Sequence, residues 1–152
     1  SEHNRFVIKL FCGGGKTLTL GHYLKHCQFN LIICIAPLLV SVDNLLKRLM
    51  PFIPEYQHLL VDSDIGGTTD QHEICHFIQK KTTHKIIFST FDSAKNILSQ
   101  VSELQNPDMN WCIVCDEVHN MINMDQLCSF TNSFNNAVLL SATIPEELYD
   151  VI

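Results

Sequence analysis

Residues 6–17 of the chain read FVIKLFCGGGKT, and this stretch decides the fold. Its first half, Phe6–Phe11, is an apolar run broken by a single lysine, which predicts a buried β-strand. Three glycines follow, then Lys16 and Thr17, and then the helix-like run Leu18–Cys27. A strand, a glycine-rich turn, a Lys-Thr pair and a helix in this order are typical of a phosphate-binding loop.

Each residue type in this loop has a physical reason to be there. Glycines allow positive φ and bring backbone N–H groups close to a phosphate, and the start of a helix points its N–H groups at the same anion. Lys16 adds a full positive charge, and the Thr17 hydroxyl is a hard oxygen ligand suited to Mg²⁺. The full pattern GxxxxGKT has glycine where this chain has Leu10, so a glycine-rich loop that happens to precede Lys-Thr stays open as the alternative.

Length and composition predict one globular domain. The 152 residues are 46% hydrophobic and 17% charged, which is enough apolar material for a real core. No apolar run reaches the ~18 residues of a membrane span, so we expect no membrane partner. The first residues, SEHNR, are unlike a signal peptide. The net charge is −6 and the only arginines are Arg5 and Arg48, so nucleic acid, if bound, must contact a local surface, backbone groups or another part of the protein.

Seven cysteines are present, an odd number, and several lie inside apolar strand-like runs. We interpret them as buried thiols in a reducing, intracellular compartment, without a disulfide framework. Cys112 and Cys115 form a CxxC pair, but within a predicted strand. Residues three apart on a strand point to opposite faces, so these two cannot easily share a metal.

Predicted strands and helices alternate along the chain. Crossovers of this length demand a mostly parallel sheet with helices on both faces. Together with the phosphate-binding loop, this predicts a three-layer α/β/α P-loop NTPase fold. The carboxyl ends of such strands line the ligand crevice. The predicted strands are Phe6–Phe11, Phe29–Ala36, His58–Val61, Lys85–Ser89, Trp111–Cys115 and Ala137–Leu140. The predicted helices are Leu18–Cys27, Leu38–Met50, Gln71–Lys81, Phe91–Val101 with Asp92 or Ser93 as cap, Met121–Phe130 (helix or loop), and a last one opened by Pro145.

A second motif, IVCDEVH at Ile113–His119, places two acidic residues at the end of an apolar strand. Asp116 would hold Mg²⁺ and so complete the site begun by Thr17. Glu117 would orient or deprotonate the water that attacks a γ-phosphate. A solvated Asp-Glu turn after a strand is the alternative interpretation.

Five segments in order, CGGGKT, APLLVSVDNLL, FSTFDS, CDEVH and LSATIP, resemble the superfamily 2 helicases and related translocases. The chain resembles their first RecA-like domain, with a DExH-type second motif, over nearly all of residues 1–152. The resemblance implies ATP and Mg²⁺ as ligands, Lys16, Asp116 and Glu117 as catalytic residues, and Thr17 and Asp116 as metal ligands. It implies nucleotide binding by Cys12, Gly13, Gly14, Gly15, Lys16 and Thr17.

The same resemblance assigns a coupling role, from hydrolysis to nucleic-acid movement, to His119, Ser141, Ala142 and Thr143. Ser-Ala-Thr before proline is also a common way to end a strand and cap a helix, and that alternative stays open. Pro37–Leu39 and Ser89–Ser93 resemble segments that touch the nucleic-acid backbone in the family. The high cysteine and low arginine content is similar to that of helicases of large DNA viruses.

The family's second RecA-like domain, which supplies arginine fingers and half of the nucleic-acid groove, is not in this chain. We therefore expect a monomer that binds ATP or ADP weakly, with little or no ATPase activity, and a second RecA-like domain in cis as its partner. The alternatives are a P-loop ATPase that remodels protein or DNA without unwinding, and a nucleotide-binding module without turnover.

A competing motif, HExxH, is formed by His72, Glu73 and His76 on a predicted helix. Two histidines four apart share a helical face and could bind zinc, with the glutamate as base of a metallopeptidase. No third ligand follows at a recognisable spacing, and the peptidase hypothesis leaves the other motifs unexplained. We therefore interpret these residues, like His22 and His26, as exposed helix positions.

Overall fold

Six parallel strands form the central sheet of the computed structural model, which describes residues 4–9, 15–64, 66–81, 84–104, 110–118 and 124–141. Their order across the sheet is β1-β6-β5-β2-β4-β3. All residues of β2, β4, β5 and β6 are buried, as expected for apolar strands covered on both faces. The bounds are β1 Asn4–Lys9, β2 Leu31–Ala36, β3 Gln57–Val61, β4 Lys85–Thr90, β5 Trp111–Cys115 and β6 Asn136–Ser141.

Five α-helices and one 3-10 turn connect these strands in the described residues. The helices are α1 Lys16–Cys27, α2 Leu39–Leu49, α3 Gln71–Gln79, α4 Lys95–Leu104 and α5 Met124–Asn132, and the 3-10 turn is Met50–Phe52. In the described part of the chain, no helix is both long enough and apolar enough to cross a bilayer.

The helices form one layer on each face of the sheet, which confirms the predicted α/β/α architecture. Side chains of α1 and α2, among them Leu20 and Leu45, pack with one face of the strands. Side chains of α3, α4 and α5, among them Phe77 and Phe130, pack with the other face. Cys112 belongs to the first core and Cys115 to the second, so the two cysteines do point to opposite faces.

Polar groups fix both ends of α3. The Asp70 carboxylate accepts a hydrogen bond from the His72 N–H at 3.0 Å and caps the start of the helix. At the other end, the Lys85 ammonium donates to the Ile78 carbonyl and, at 2.8 Å, to the Lys80 carbonyl. Lys85 is only 7% exposed, and burial, together with the charge of Lys80, lowers the pKa of its ammonium. A cation at this position complements the negative end of the helix dipole.

The largest difference from the predicted elements is at α4, which begins at Lys95 and not at Phe91. Residues 91–94 form a turn in which the Ala94 N–H donates to the Phe91 carbonyl at 3.3 Å, and the Phe91 N–H donates to the Ala36 carbonyl at 2.9 Å, which ties the segment to β2. Helix α5 runs to Asn132, past the predicted end. Residues 121–123 and the helix predicted after Pro145 lie outside the described residues.

Candidate nucleotide site

Helix α1 begins directly after the glycine-rich stretch and leaves its N-terminal backbone open. Gly15 precedes the helix with φ of 79°, a left-handed conformation that favours glycine. No side chain caps the helix, and its first turn holds no acidic residue. Apart from its chain neighbours, no atom of the described residues lies within 4 Å of the position that a Cβ on Gly15 would occupy. This open, uncapped helix start suits an anion. Positions 10–14, with Cys12, Gly13 and Gly14, lie outside the described residues.

Lys16 and Asp116, which are 100 positions apart in the chain, form an ion pair. The Lys16 ammonium donates to the Asp116 carboxylate with an Nζ–Oδ1 distance of 3.0 Å. The two side chains are 19% and 11% exposed, so the pair is partly shielded from water. Lys16 opens α1 and Asp116 directly follows β5. The start of α1, with Gly15, and the acidic pair therefore lie at the same edge of the sheet, as the parallel arrangement predicts.

Backbone contacts hold the acidic pair in position. The Asp116 N–H donates to the Ile35 carbonyl of the neighbouring strand β2 at 2.8 Å. The Glu117 N–H donates to Asp116 Oδ1 at 2.9 Å, so this oxygen accepts two hydrogen bonds. Glu117 has φ of 52°, in the left-handed region that a residue with a Cβ rarely occupies. Such strained backbone is concentrated at functional sites.

Ser141 lies at the same edge, as the last residue of β6. It is buried and stands opposite Lys9 of β1 in the register of the two strands. The structure therefore places Ser141 on the strand between the one that precedes the glycine turn and the one that carries Asp116. His119, Ala142 and Thr143 lie outside the described residues.

Two further segments, which the resemblance assigned to nucleic acid, lie side by side at this edge. Leu38 is 66% exposed, directly after β2 and the bend at Pro37. The hydrogen bond from Phe91 to β2 joins it to the second segment. Within that segment Ser89 and Ser93 are buried and only Asp92 is exposed. The accessible part is thus narrower than Ser89–Ser93, because Ser89 belongs to strand β4.

The residues of the HExxH motif, His72, Glu73 and His76, are all exposed on α3. Among the described residues, no three His, Cys, Asp or Glu side chains are grouped so that they could hold a metal ion. His22 packs its ring against Phe52, with centroids 5.2 Å apart. The described cysteines are all free thiols: Cys27, Cys34, Cys75, Cys112, Cys115 and Cys128.

The described residues fit a nucleotide with Mg²⁺. The uncapped start of α1 offers N–H donors to a phosphate, and the Lys16 ammonium lies beside it. The Thr17 hydroxyl and the Asp116 carboxylate are hard oxygen donors. The ion pair of Lys16 with Asp116 joins helix α1, which carries Thr17, to the end of β5, where Asp116 lies. The sequence did not predict the Ile35 carbonyl as the support of Asp116, because a backbone contact between distant strands has no local sequence signal.

The chain is similar to known proteins, both in its sequence family and in its fold. Residues 1–146 match the model of the family described as "Type III restriction enzyme, res subunit". No curated protein matches the chain.

Among solved structures, a nuclease-deletion mutant of the Type ISP restriction-modification enzyme LlaGI, in complex with a DNA substrate mimic, gives a TM-score of 0.65. It is 18% identical over 94% of this chain and 14% of that one. A hypothetical ATP-dependent RNA helicase from Sulfolobus tokodaii gives a TM-score of 0.65 at 16% identity, over 98% of this chain and 44% of that one. S. cerevisiae Dbp5 bound to RNA and ADP BeF3 gives a TM-score of 0.62 at 18% identity, over 97% of this chain and 38% of that one. These likenesses confirm the RecA-like fold, and the chain spans less than half the length of each of these proteins.

Proposed function

Since the chain belongs to the family of the type III restriction enzyme res subunit, we propose that it is the ATP-binding RecA-like domain of a nucleic-acid-dependent ATPase or helicase. The observation that carries this proposal is the 3.0 Å contact between Lys16 and Asp116. It joins the residue that follows the glycine turn to the acidic pair at the end of β5. A site for a phosphate and its metal counter-ion needs the lysine and the acidic residues close together.

Lys16, in this proposal, binds the β- and γ-phosphates of ATP together with the backbone N–H groups at the start of α1. Cys12, Gly13, Gly14 and Gly15 provide the rest of the loop around the phosphates. Thr17 and Asp116 are the residues that would hold Mg²⁺. When bound, the ion offsets negative charge that develops on the phosphoryl oxygens.

Glu117 is the proposed general base for the attacking water. Its left-handed backbone, together with the hydrogen bond from its N–H to Asp116, determines the direction in which the Glu117 side chain leaves the main chain. Ser141 belongs to the proposed coupling segment with His119, Ala142 and Thr143. The position of Ser141 on the strand beside β5 supports this role.

Nucleic acid is the proposed track, since the LlaGI structure is a complex with a DNA substrate mimic and the Dbp5 structure holds RNA. A second RecA-like domain in cis is the proposed source of the remaining catalytic groups. The second candidate, an ATPase that remodels DNA or protein without unwinding, is favoured by the similar SWI2/SNF2 ATPase core of Sulfolobus solfataricus in complex with double-stranded DNA. An origin in a large DNA virus and a reducing, intracellular location stay predictions.

Binding of a fluorescent ATP analogue to the 152-residue chain, with and without Mg²⁺, tests the nucleotide site. We expect Lys16→Met to weaken binding at least tenfold, because the positive charge that binds the phosphates is lost. Asp116→Asn should remove most of the dependence on Mg²⁺. Lys25→Met, on the exposed part of the same helix, is the matched control and should bind like wild type. Equal affinity of the Lys16 and Lys25 variants would refute the site.

Turnover is tested in the full-length protein. We expect Glu117→Gln to retain ATP binding and lose at least a hundredfold in hydrolysis, since only the base is changed. Addition of DNA or RNA should stimulate wild-type hydrolysis, and a strand-displacement assay separates unwinding from remodelling. Hydrolysis that is insensitive to Glu117→Gln contradicts the assigned base, whereas ATP binding without any turnover supports a binding module.

A further inference from the structure

Strand β3 is the last strand of the sheet, with β4 on one side. The Gln57 N–H donates to the His84 carbonyl that precedes β4, so the odd-numbered residues of β3 point their backbone groups toward β4. Backbone groups alternate along a strand in a parallel ladder. His58 and Leu60 therefore point their N–H and C=O groups away from the sheet.

Only the carboxyl end of this outer edge is paired within the described residues. The Thr68 N–H donates to the Leu60 carbonyl at 3.0 Å, and the Asp62 N–H donates to the Thr68 carbonyl at 3.1 Å. This single bridge leaves the N–H and C=O of His58 and the N–H of Leu60 as outward groups with no partner in the described part of the chain. The sequence of β3, QHLLV, contains neither lysine nor proline, the residues that commonly protect an edge strand.

A cavity of about 400 Å³ lies along this edge. It is lined from both helical layers, by Leu46 of α2 and by Glu73 of α3, and by β3 itself between them. Leu60 packs toward the α1 and α2 side of the sheet, and Leu59 toward the α3 side. The cavity thus straddles the plane of the sheet, where a further strand would lie.

The charge around the edge is negative. Glu73 lines the cavity, and its described lining contains no lysine or arginine. Asp64 and Asp70, in the segment between β3 and α3, are exposed, and so is Glu55, two positions before β3. The carboxylates of Glu73, in the cavity, and of Asp64 and Asp70, in the segment that follows β3, favour a cationic ligand here.

We propose that the outer edge of β3 binds an extended peptide segment of a partner protein in which apolar and basic residues alternate. The segment adds a short strand to the sheet, and its backbone bonds to the outward groups of His58 and Leu60. Alternate side chains of a strand point to opposite faces. The apolar ones contact Leu46 and Leu60 on one face, and the basic ones lie near Glu73 on the other. This function is independent of the nucleotide site.

Fluorescence anisotropy with capped, labelled pentapeptides tests the proposal on the 152-residue chain. The probe is Val-Lys-Val-Lys-Val, and the matched peptides are Val-Glu-Val-Glu-Val and the lysine peptide with alternate backbone nitrogens methylated. We expect at least tenfold weaker binding of both matched peptides, because one lacks the charge and the other the backbone donors. Equal binding of all three peptides would overturn the proposal.

Two variants test the chemistry on the protein side. His58→Pro removes an outward N–H that β4 does not use, and His58→Ala keeps it, so the proline variant should bind the lysine peptide at least tenfold more weakly than the alanine variant. Glu73→Lys should weaken binding at least fivefold, with the loss decreasing as salt is added. Equal affinities of the two His58 variants, or no effect at Glu73, refute the assigned edge.

Amide hydrogen exchange of the wild-type chain keeps the test valid if a variant fails to fold. The lysine peptide at saturation should slow the exchange of the His58 and Leu60 N–H groups at least tenfold. The N–H groups of Gln57 and Leu59, already bonded in the β4 ladder, should change little. Unchanged exchange at His58 and Leu60 with the peptide bound would place the peptide elsewhere and overturn the proposal.

Discussion

Replacing Gly21 by alanine tests how tightly helix α1 is held against the 3-10 turn Met50–Phe52. In the interior of an ordinary helix, this change stabilises a protein by about 1 kcal/mol. At Gly21, however, an added Cβ would lie 2.5 Å from Phe52 Cδ2 and 2.6 Å from Cγ. Because Cγ is the first ring atom, it can move away only if χ1 of Phe52 changes and the whole ring is displaced, or if the turn itself moves.

The balance of the two effects gives the expected sign. Overpacking of this kind costs about 1–3 kcal/mol, and contacts this short belong in the upper part of that range. After subtraction of the helix gain, Gly21→Ala should lower the free energy of unfolding by about 1–2 kcal/mol. In a Phe52→Ala background the obstacle is gone, so the same change should instead stabilise the chain by about 0.5–1 kcal/mol.

Urea unfolding, followed by circular dichroism, measures the effect in a double-mutant cycle of wild type, Gly21→Ala, Phe52→Ala and the double variant. We expect a coupling free energy between the two sites of about 2 kcal/mol. Because α1 begins with Lys16, the same displacement should weaken binding of the ATP analogue in Gly21→Ala, and the double variant should recover it. A Gly21→Ala chain more stable than wild type, or a coupling below about 0.5 kcal/mol, would refute the packing argument.

Two further stability predictions follow from buried polar groups. Lys85→Met should destabilise the chain by about 2 kcal/mol in urea unfolding, because two helix-end carbonyls lose a charged donor, whereas Lys81→Met should change stability by less than about 0.5 kcal/mol. Burial raises the pKa values of Cys34, Cys112 and Cys115, the last to about 12 from 9.0. Above pH 9 the unfolded chain ionises these thiols while the folded chain keeps them protonated, so stability should fall with rising pH by up to about 1.4 kcal/mol per unit for each thiol. Cys115→Ala should reduce that slope, and an unchanged slope would contradict the burial argument.

The element types were largely predictable because their signals are local. Strand β5 has the predicted bounds, since the run Trp111–Cys115 is apolar at every position. The predicted start of α3 at Gln71 is also the observed start, and Asp70 caps it. The predicted start of α4 was wrong because residues 91–94 form a turn that is tied to β2 through the Phe91 N–H, and this contact between segments distant in sequence has no local signal.

The site was predictable only in outline. Parallel strands end at one edge, so the proximity of Lys16 and Asp116 followed once their strands were recognised. The order of the strands across the sheet did not follow, because the crossover from β1 to β2 passes over two other strands. The left-handed backbone of Glu117 and the open edge at His58 depend on how the strands are arranged in the sheet, and that arrangement leaves no pattern in the residues themselves.

Two successive carbonyls at the end of β2 accept hydrogen bonds from opposite directions. That of Ile35 receives the Asp116 N–H from β5, and that of Ala36 receives the Phe91 N–H from the turn after β4. The two carbonyls belong to adjacent peptide units that share the Ala36 Cα, and they bind a residue proposed for Mg²⁺ on one side and the turn proposed for nucleic acid on the other. A change in the backbone dihedrals at Ala36 would therefore alter the hydrogen bonds of Asp116 and of Phe91 together.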